Sequence, residues 1–177
     1  MYKKTNFILF LLLIILGISL YIIKPFKKEF DLSKVKIETI DGKMKLDNYF
    51  TKKTILYFGY SICPKVCPMT LGYLSEALNR YEKPDIKAIF ISLSPHDTLE
   101  MVHNNGQNYH KKIFGIDIPQ KDVKLLSNWL NVQYRNLDTK EINHSGNLYI
   151  FSDKILVKVL PFGTDSETIL KEIKGIK

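Results

Sequence analysis

Apolar and polar positions are patterned in three ways along this chain, and each pattern predicts its own kind of element. From Phe7 to Ile23 there is no charge at all: 17 residues of Ile, Leu, Phe, Gly, Ser and Tyr. As a helix this run would reach roughly 26 Å, near the lower limit for crossing a bilayer. Lys3 and Lys4 precede it and Lys24 follows. The exit, Tyr21 to Phe26, lacks the small-residue pattern of a cleaved signal peptide, so an uncleaved single-pass anchor is expected. The chain then divides into an N-terminal flank (1–6), the anchor (7–23), a charged linker (24–34) and one domain (35–177).

Period-two and continuous apolar runs predict strands. Val35 to Ile40 alternates and meets Asp41-Gly42, a hairpin signal. Thr54–Tyr60 and Ile86–Leu93 are compact β-prone runs expected as buried strands. Leu148–Phe151 and Ile155–Leu160 are two more, joined through Ser152-Asp153-Lys154. Helical spacing covers Pro68–Tyr81, where Leu71, Leu74 and Leu78 share a face and Pro68 suits the first turn. It also covers Thr98 to about His110, capped by Asp97 or Thr98, then Asp122–Leu130 and Ser166–Ile173. Strand, helix, strand, helix, hairpin and helix is the order of an α/β thioredoxin-like fold, here with an N-terminal β-hairpin and one preceding transmembrane helix.

Composition changes little of this. About 145 residues remain beyond the anchor, enough for one domain with a sizeable core. The net charge is +8, from 26 Lys and Arg against 18 Asp and Glu. The lysines are scattered rather than gathered into a basic stripe, which argues against nucleic acid as a partner. Flanking charges nearly balance across the apolar run, so they do not set its orientation. The commoner N-in arrangement is adopted. Without an Arg- and Ser-rich presequence, the expected place is a bacterial inner membrane with the domain in the periplasm, or the intermembrane space if mitochondrial.

Cysteine usage narrows the chemistry. The only two cysteines are Cys63 and Cys67, in Cys63-Pro64-Lys65-Val66-Cys67-Pro68. A disulfide scaffold would need more of them, spread along the chain. These two fall where a buried strand ends and a helix begins, and the helix N-terminus favours thiolate over thiol. Thiolates are soft ligands suited to copper(I). Three intervening residues let both sulfurs turn toward one ion, without forbidding a disulfide. Pro64 and Pro68 limit the conformations of the loop.

Two sulfurs call for a third ligand. His96, His103 and His110 recur every seven residues, a climb of about 10.5 Å on a helix, too far to share an ion. They are expected to be solvated or capping. His144, in Asn143-His144-Ser145-Gly146, enters the penultimate strand, and in a thioredoxin-like fold that loop lies against the cysteine pair. Cys63, Cys67 and His144 are therefore the candidate metal ligands.

Phe58-Gly59-Tyr60-Ser61-Ile62-Cys63-Pro64-Lys65-Val66-Cys67-Pro68 resembles the hallmark of the SCO1/SenC copper-chaperone family. Ser92-Leu93-Ser94-Pro95-His96-Asp97-Thr98 is similar to that family's second signature, and Asn143-His144-Ser145 to its histidine motif. The resemblance runs from about Val35 onward. It implies a thioredoxin fold holding Cu(I) or Cu(II) on Cys63, Cys67 and His144. It also implies a chaperone rather than an enzyme, acting on the dinuclear copper centre of cytochrome c oxidase subunit II. Other copper chaperones or thiol reductants would be further partners, and the anchor would meet membrane lipid. The chain departs from the family at Lys65, where an acidic residue is usual, and at Ser94, where Asp is usual in a segment one residue longer. Neither change touches a ligand; both alter the charge beside the site. The residues also admit a thiol–disulfide oxidoreductase using Cys63 and Cys67, a thiol peroxidase, a zinc site with a water ligand, or a structural disulfide.

Overall fold

The computed structural model describes residues 30–136 and 141–176. Asp31 onward is one compact unit. Among the described residues no helix is long and apolar enough to cross a membrane. The predicted anchor, Phe7–Ile23, lies outside them.

A short turn of 3₁₀-helix, Leu32–Lys34, leads into the expected hairpin, β1 (Lys36–Thr39) and β2 (Gly42–Lys45). Its turn is Ile40-Asp41, one residue earlier than the Asp41-Gly42 signal, because Thr39 pairs with Gly42. A single turn, α1 (Leu46–Tyr49), follows. Then come β3 (Lys53–Gly59), α2 (Val66–Asn79), β4 (Ile86–Ser92), α3 (Leu99–Tyr109), β5 (Ile113–Ile116) and α4 (Gln120–Leu130). The chain continues through β6 (Tyr134–Asn136), β7 (Ile142–His144), β8 (Leu148–Ser152), β9 (Ile155–Leu160) and α5 (Ser166–Gly175).

The central sheet has the order β5-β4-β3-β8-β9, with β3, β4 and β5 parallel and β8 and β9 antiparallel to their neighbours. β3 is buried along its whole length, as a central strand covered on both faces must be. Ile55, Tyr57, Ala88, Phe90, Leu148 and Ile150 form one face, packed against Leu71, Leu74 and Leu78 of α2 and Ile169 and Ile173 of α5. Each Leu, Ile or Phe among them contributes about 1.5–3 kcal/mol by leaving water. On the opposite face Phe151 meets Phe50 and Trp129 of α4, and Phe58 meets Tyr149 edge-on.

The caps follow the local sequence. Thr98 accepts from Met101 N–H to start α3, and Asp165 accepts from Thr168 N–H to start α5. Asp153 and Lys154 both adopt positive φ in the two-residue β8–β9 turn, the twist a tight hairpin requires.

Three strands were not foreseen. β5 is only four residues long and includes Gly115, so its apolar run is too brief to announce itself. Among the described residues β6 and β7 pair only with each other, Tyr134 opposite His144, and neither has a clear alternation. His144 therefore closes a short strand rather than sitting in an open loop.

Candidate metal centre

The site is built where β3 stops. Gly59 is the last residue of that strand, and a Cβ there would stand 2.6 Å from Cys67 Sγ. Only glycine lets the first turn of α2 press its cysteine so closely against the strand end. Lys65, the N-cap of α2, offers no side-chain cap. Cys63 Sγ takes that role instead, accepting from Cys67 N–H at 3.4 Å. The sulfur thus occupies the positive end of the helix, where an anion is favoured.

His144 arrives from the other side of the chain. Its Nε2 is 3.6 Å from Cys63 Sγ and 3.5 Å from Cys67 Sγ. The three ligand atoms all lie within 4.8 Å of one another. Donors bound at about 2.0–2.3 Å to one ion stand roughly 3.5–4 Å apart, so this set fits a soft or borderline metal without large movement. The imidazole is nearly buried, with the rings of Tyr60 and Tyr57 edge-on to it at centroid distances of 5.9 and 6.3 Å. Gly146, at φ +63°, turns the chain away after His144; a Cβ there would meet Val66 Cγ1 at 2.5 Å.

The two thiols are not equivalent. Cys63 is partly exposed and Cys67 buried. A hydrogen bond from the Cys67 thiol, then one from His144 and the Cys67 and Lys65 N–H groups, hold Cys63 far below the usual thiol range. Cys67 is pushed up, first by that same bond to Cys63 and then by burial. In the reduced pair the thiolate is therefore favoured at Cys63 over Cys67. A cavity of about 210 Å³, lined among others by Cys63, Lys65, Glu141 and His144, opens the site to solvent. A larger cavity of about 640 Å³ lies under the β1–β2 hairpin and contains neither thiol nor imidazole, so volume does not mark the chemistry.

All three candidate ligands from the sequence meet here, and the other histidines do not. His96 is exposed, His110 Nδ1 accepts from Lys112 N–H, and His103 packs against Phe114. Two supporting residues were missed. The Asp97 carboxylate accepts from Ser61 N–H and Ser92 Oγ, both at 2.7 Å, and Asn105 Nδ2 donates to Ser61 C=O at 3.1 Å. Together they fix the backbone two residues before Cys63. Asp97 stands in the second motif, where the sequence offers it only as a helix cap. Asn105 carried no signal, since one polar residue on a helix face looks solvated.

The SCO1/SenC family model matches residues 24–177. The chain is 30% identical over 124 residues to protein SCO1 homolog 1, mitochondrial, of Arabidopsis thaliana, an alignment covering 65% of this chain and 37% of that protein. It is 28% identical over 104 residues to protein SCO1 homolog, mitochondrial, of Homo sapiens, covering 55% of this chain and 35% of that protein. It thus spans little more than a third of either. The solved structure of Arabidopsis thaliana ScoI with copper bound superposes with a TM-score of 0.70 at 26% identity, over 81% of this chain and 96% of that one.

Proposed function

This chain belongs to the SCO1/SenC family, and we propose that it binds one copper ion on Cys63, Cys67 and His144 and delivers it to the dinuclear copper site of cytochrome c oxidase subunit II. The observation that carries the reading is the convergence of two sulfurs and an imidazole nitrogen within 4.8 Å at one helix N-terminus. Two thiolates and one neutral imidazole suit copper(I), and His144 has no role in a simple dithiol. The cargo would enter through the cavity beside Cys63, the exposed ligand, and leave by exchange of ligands with an incoming cysteine or histidine of the recipient. Oxidation of Cys63 and Cys67 to a disulfide removes both sulfurs as thiolate ligands, so their redox state gates loading. Phe7–Ile23 is the proposed single-pass anchor, placing the domain in the periplasm or intermembrane space. A C-terminal reporter active only in the cytoplasm would overturn that placement.

The test is copper per chain in the reduced full-length protein in detergent, beside His144→Ala. One copper in the parent, with affinity reduced at least about 100-fold in the variant, supports the site. Unchanged binding in the variant, or none in the parent, rejects it.

The split between the two thiols supports a second reading, a thiol–disulfide oxidoreductase. A partly exposed thiolate at Cys63 is placed to attack a partner disulfide, and the buried thiol of Cys67 to resolve the mixed disulfide. That reaction needs no imidazole ligand, so disulfide exchange that survives His144→Ala while copper binding is lost separates the activities.

A further inference from the structure

Tyr57 is 1% exposed, yet its hydroxyl has no hydrogen-bond partner. A phenylalanine would fill the same space without burying a polar atom, as Phe58 and Phe90 do beside it. The hydroxyl therefore calls for a reason, and the ring's position supplies one. Tyr57 and Cys67 flank the same small space over Gly59: a Cβ there would lie 3.0 Å from Tyr57 Cε1 and 2.6 Å from Cys67 Sγ. The ring also stands edge-on to His144 at 71°. Its other hydroxyl neighbour, Thr70, is turned toward the Gly146 carbonyl at 3.4 Å. Burial holds the phenol in its neutral, donating form.

We infer that Tyr57 is a positioning residue for Cys67, its hydroxyl donating to that sulfur when the sulfur serves as a metal ligand. The inference rests on the copper reading above and deepens it. The partnerless phenol lies beside a sulfur that, as a metal ligand, would be its acceptor. A hydrogen bond to a coordinated sulfur draws electron density from it and weakens its donation to the ion. The more electron-rich Cu(I) state gains relative to Cu(II), and the two sulfurs become unequal ligands. Cys63 has its own donor in the Cys67 N–H; Tyr57 serves the other sulfur.

The test replaces Tyr57 by Phe and, site-specifically, by 3-fluorotyrosine, a stronger donor of the same shape. The readout is the sulfur-to-copper charge-transfer absorption of the Cu(II)-loaded full chain in detergent. Phe should move the band to longer wavelength and 3-fluorotyrosine to shorter. The ratio of Cu(I) to Cu(II) affinity should fall about tenfold in Tyr57→Phe. A band unmoved by either replacement, or moved the same way by both, would mean that Tyr57 only packs. Should the parent take up no copper, the function proposed above fails, and cadmium serves as the probe of Tyr57. A ¹¹³Cd shift unchanged in Tyr57→Phe then overturns this inference alone, and a changed one upholds the hydrogen bond.

Discussion

The two ends of β3 both bury polar chemistry, and they treat it in opposite ways. At the start of the strand, Lys53 is 4% exposed, and its ammonium donates to Tyr81 Oη at 2.9 Å and to the Ile173 carbonyl at 3.0 Å. Tyr81 in turn donates to Asp85, and Lys112 Nζ donates to the Tyr81 and Lys83 carbonyls. Burial and Asp85 push the Tyr81 phenol up to about 12, so it stays a neutral donor. The cations also sit where α2 and α5 end, the favourable pole for positive charge. At the other end of the same strand, Tyr57 Oη, Ser61 Oγ, His144 Nδ1 and Ser145 Oγ are buried without partners. Four of the eight buried side-chain atoms without a partner among the described residues thus gather near the two thiols and the imidazole, the others belonging to Asp47, His103, Ser127 and Tyr149. The satisfied cluster is explained by stability alone. Stability does not explain the other.

Lys53→Ala probes the scaffold end. It strips Tyr81 and Ile173 of a buried partner and removes the aliphatic stem, so a loss of roughly 2–4 kcal/mol in urea unfolding is expected, with copper per chain unchanged. Lower copper uptake in the folded variant would break the distinction between the two ends. Gly59→Ala sits at the boundary. Its Cβ would meet Cys67 Sγ, Phe90 and Tyr57 at 3.0 Å or less, which should cost about 1–3 kcal/mol and displace the Cys67 sulfur. A stable variant binding copper like the parent would show the strand end to be more yielding than the close approach implies.

Asp97→Ala sharpens the site end. Releasing Ser61 should lower copper affinity about 10–100-fold, the range of a residue that orients ligands, with little change in copper stoichiometry. An affinity equal to the parent's would mean that the loop is held by Asn105 and its own turn. The smallest effect is one of reactivity. Because Cys63 is held as thiolate, its alkylation by iodoacetamide in the copper-free reduced chain should precede that of Cys67. Its rate should also change little between about pH 8 and 6, whereas an ordinary thiol slows nearly tenfold per unit. A tenfold fall per unit would show that Cys67 and His144 do not hold the charge in place.

Much of this was legible in the chain itself. Continuous apolar runs marked β3 and β4, the Leu71-Leu74-Leu78 spacing gave the buried face of α2, and Thr98 lies where a cap belongs. These signals are local, each needing only a few neighbouring residues to express it. Cys63 and Cys67 are local in the same sense, four positions apart. His144, about eighty residues further on, could be joined to them only through the expected fold and the family motifs.

Tertiary structure alone decided the remainder. It placed His144 at the end of a strand rather than in a loop, because β7 exists only by pairing with β6. It gave Asp97 and Asn105 their hold on Ser61, contacts across thirty-six and forty-four residues. It also lowered one thiol and raised its neighbour, which follows from burial and from who donates to whom. The sequence determined which residues could bind and which elements would carry them. The protonation and support of those residues depend on the distance and water exclusion that only the packed fold creates.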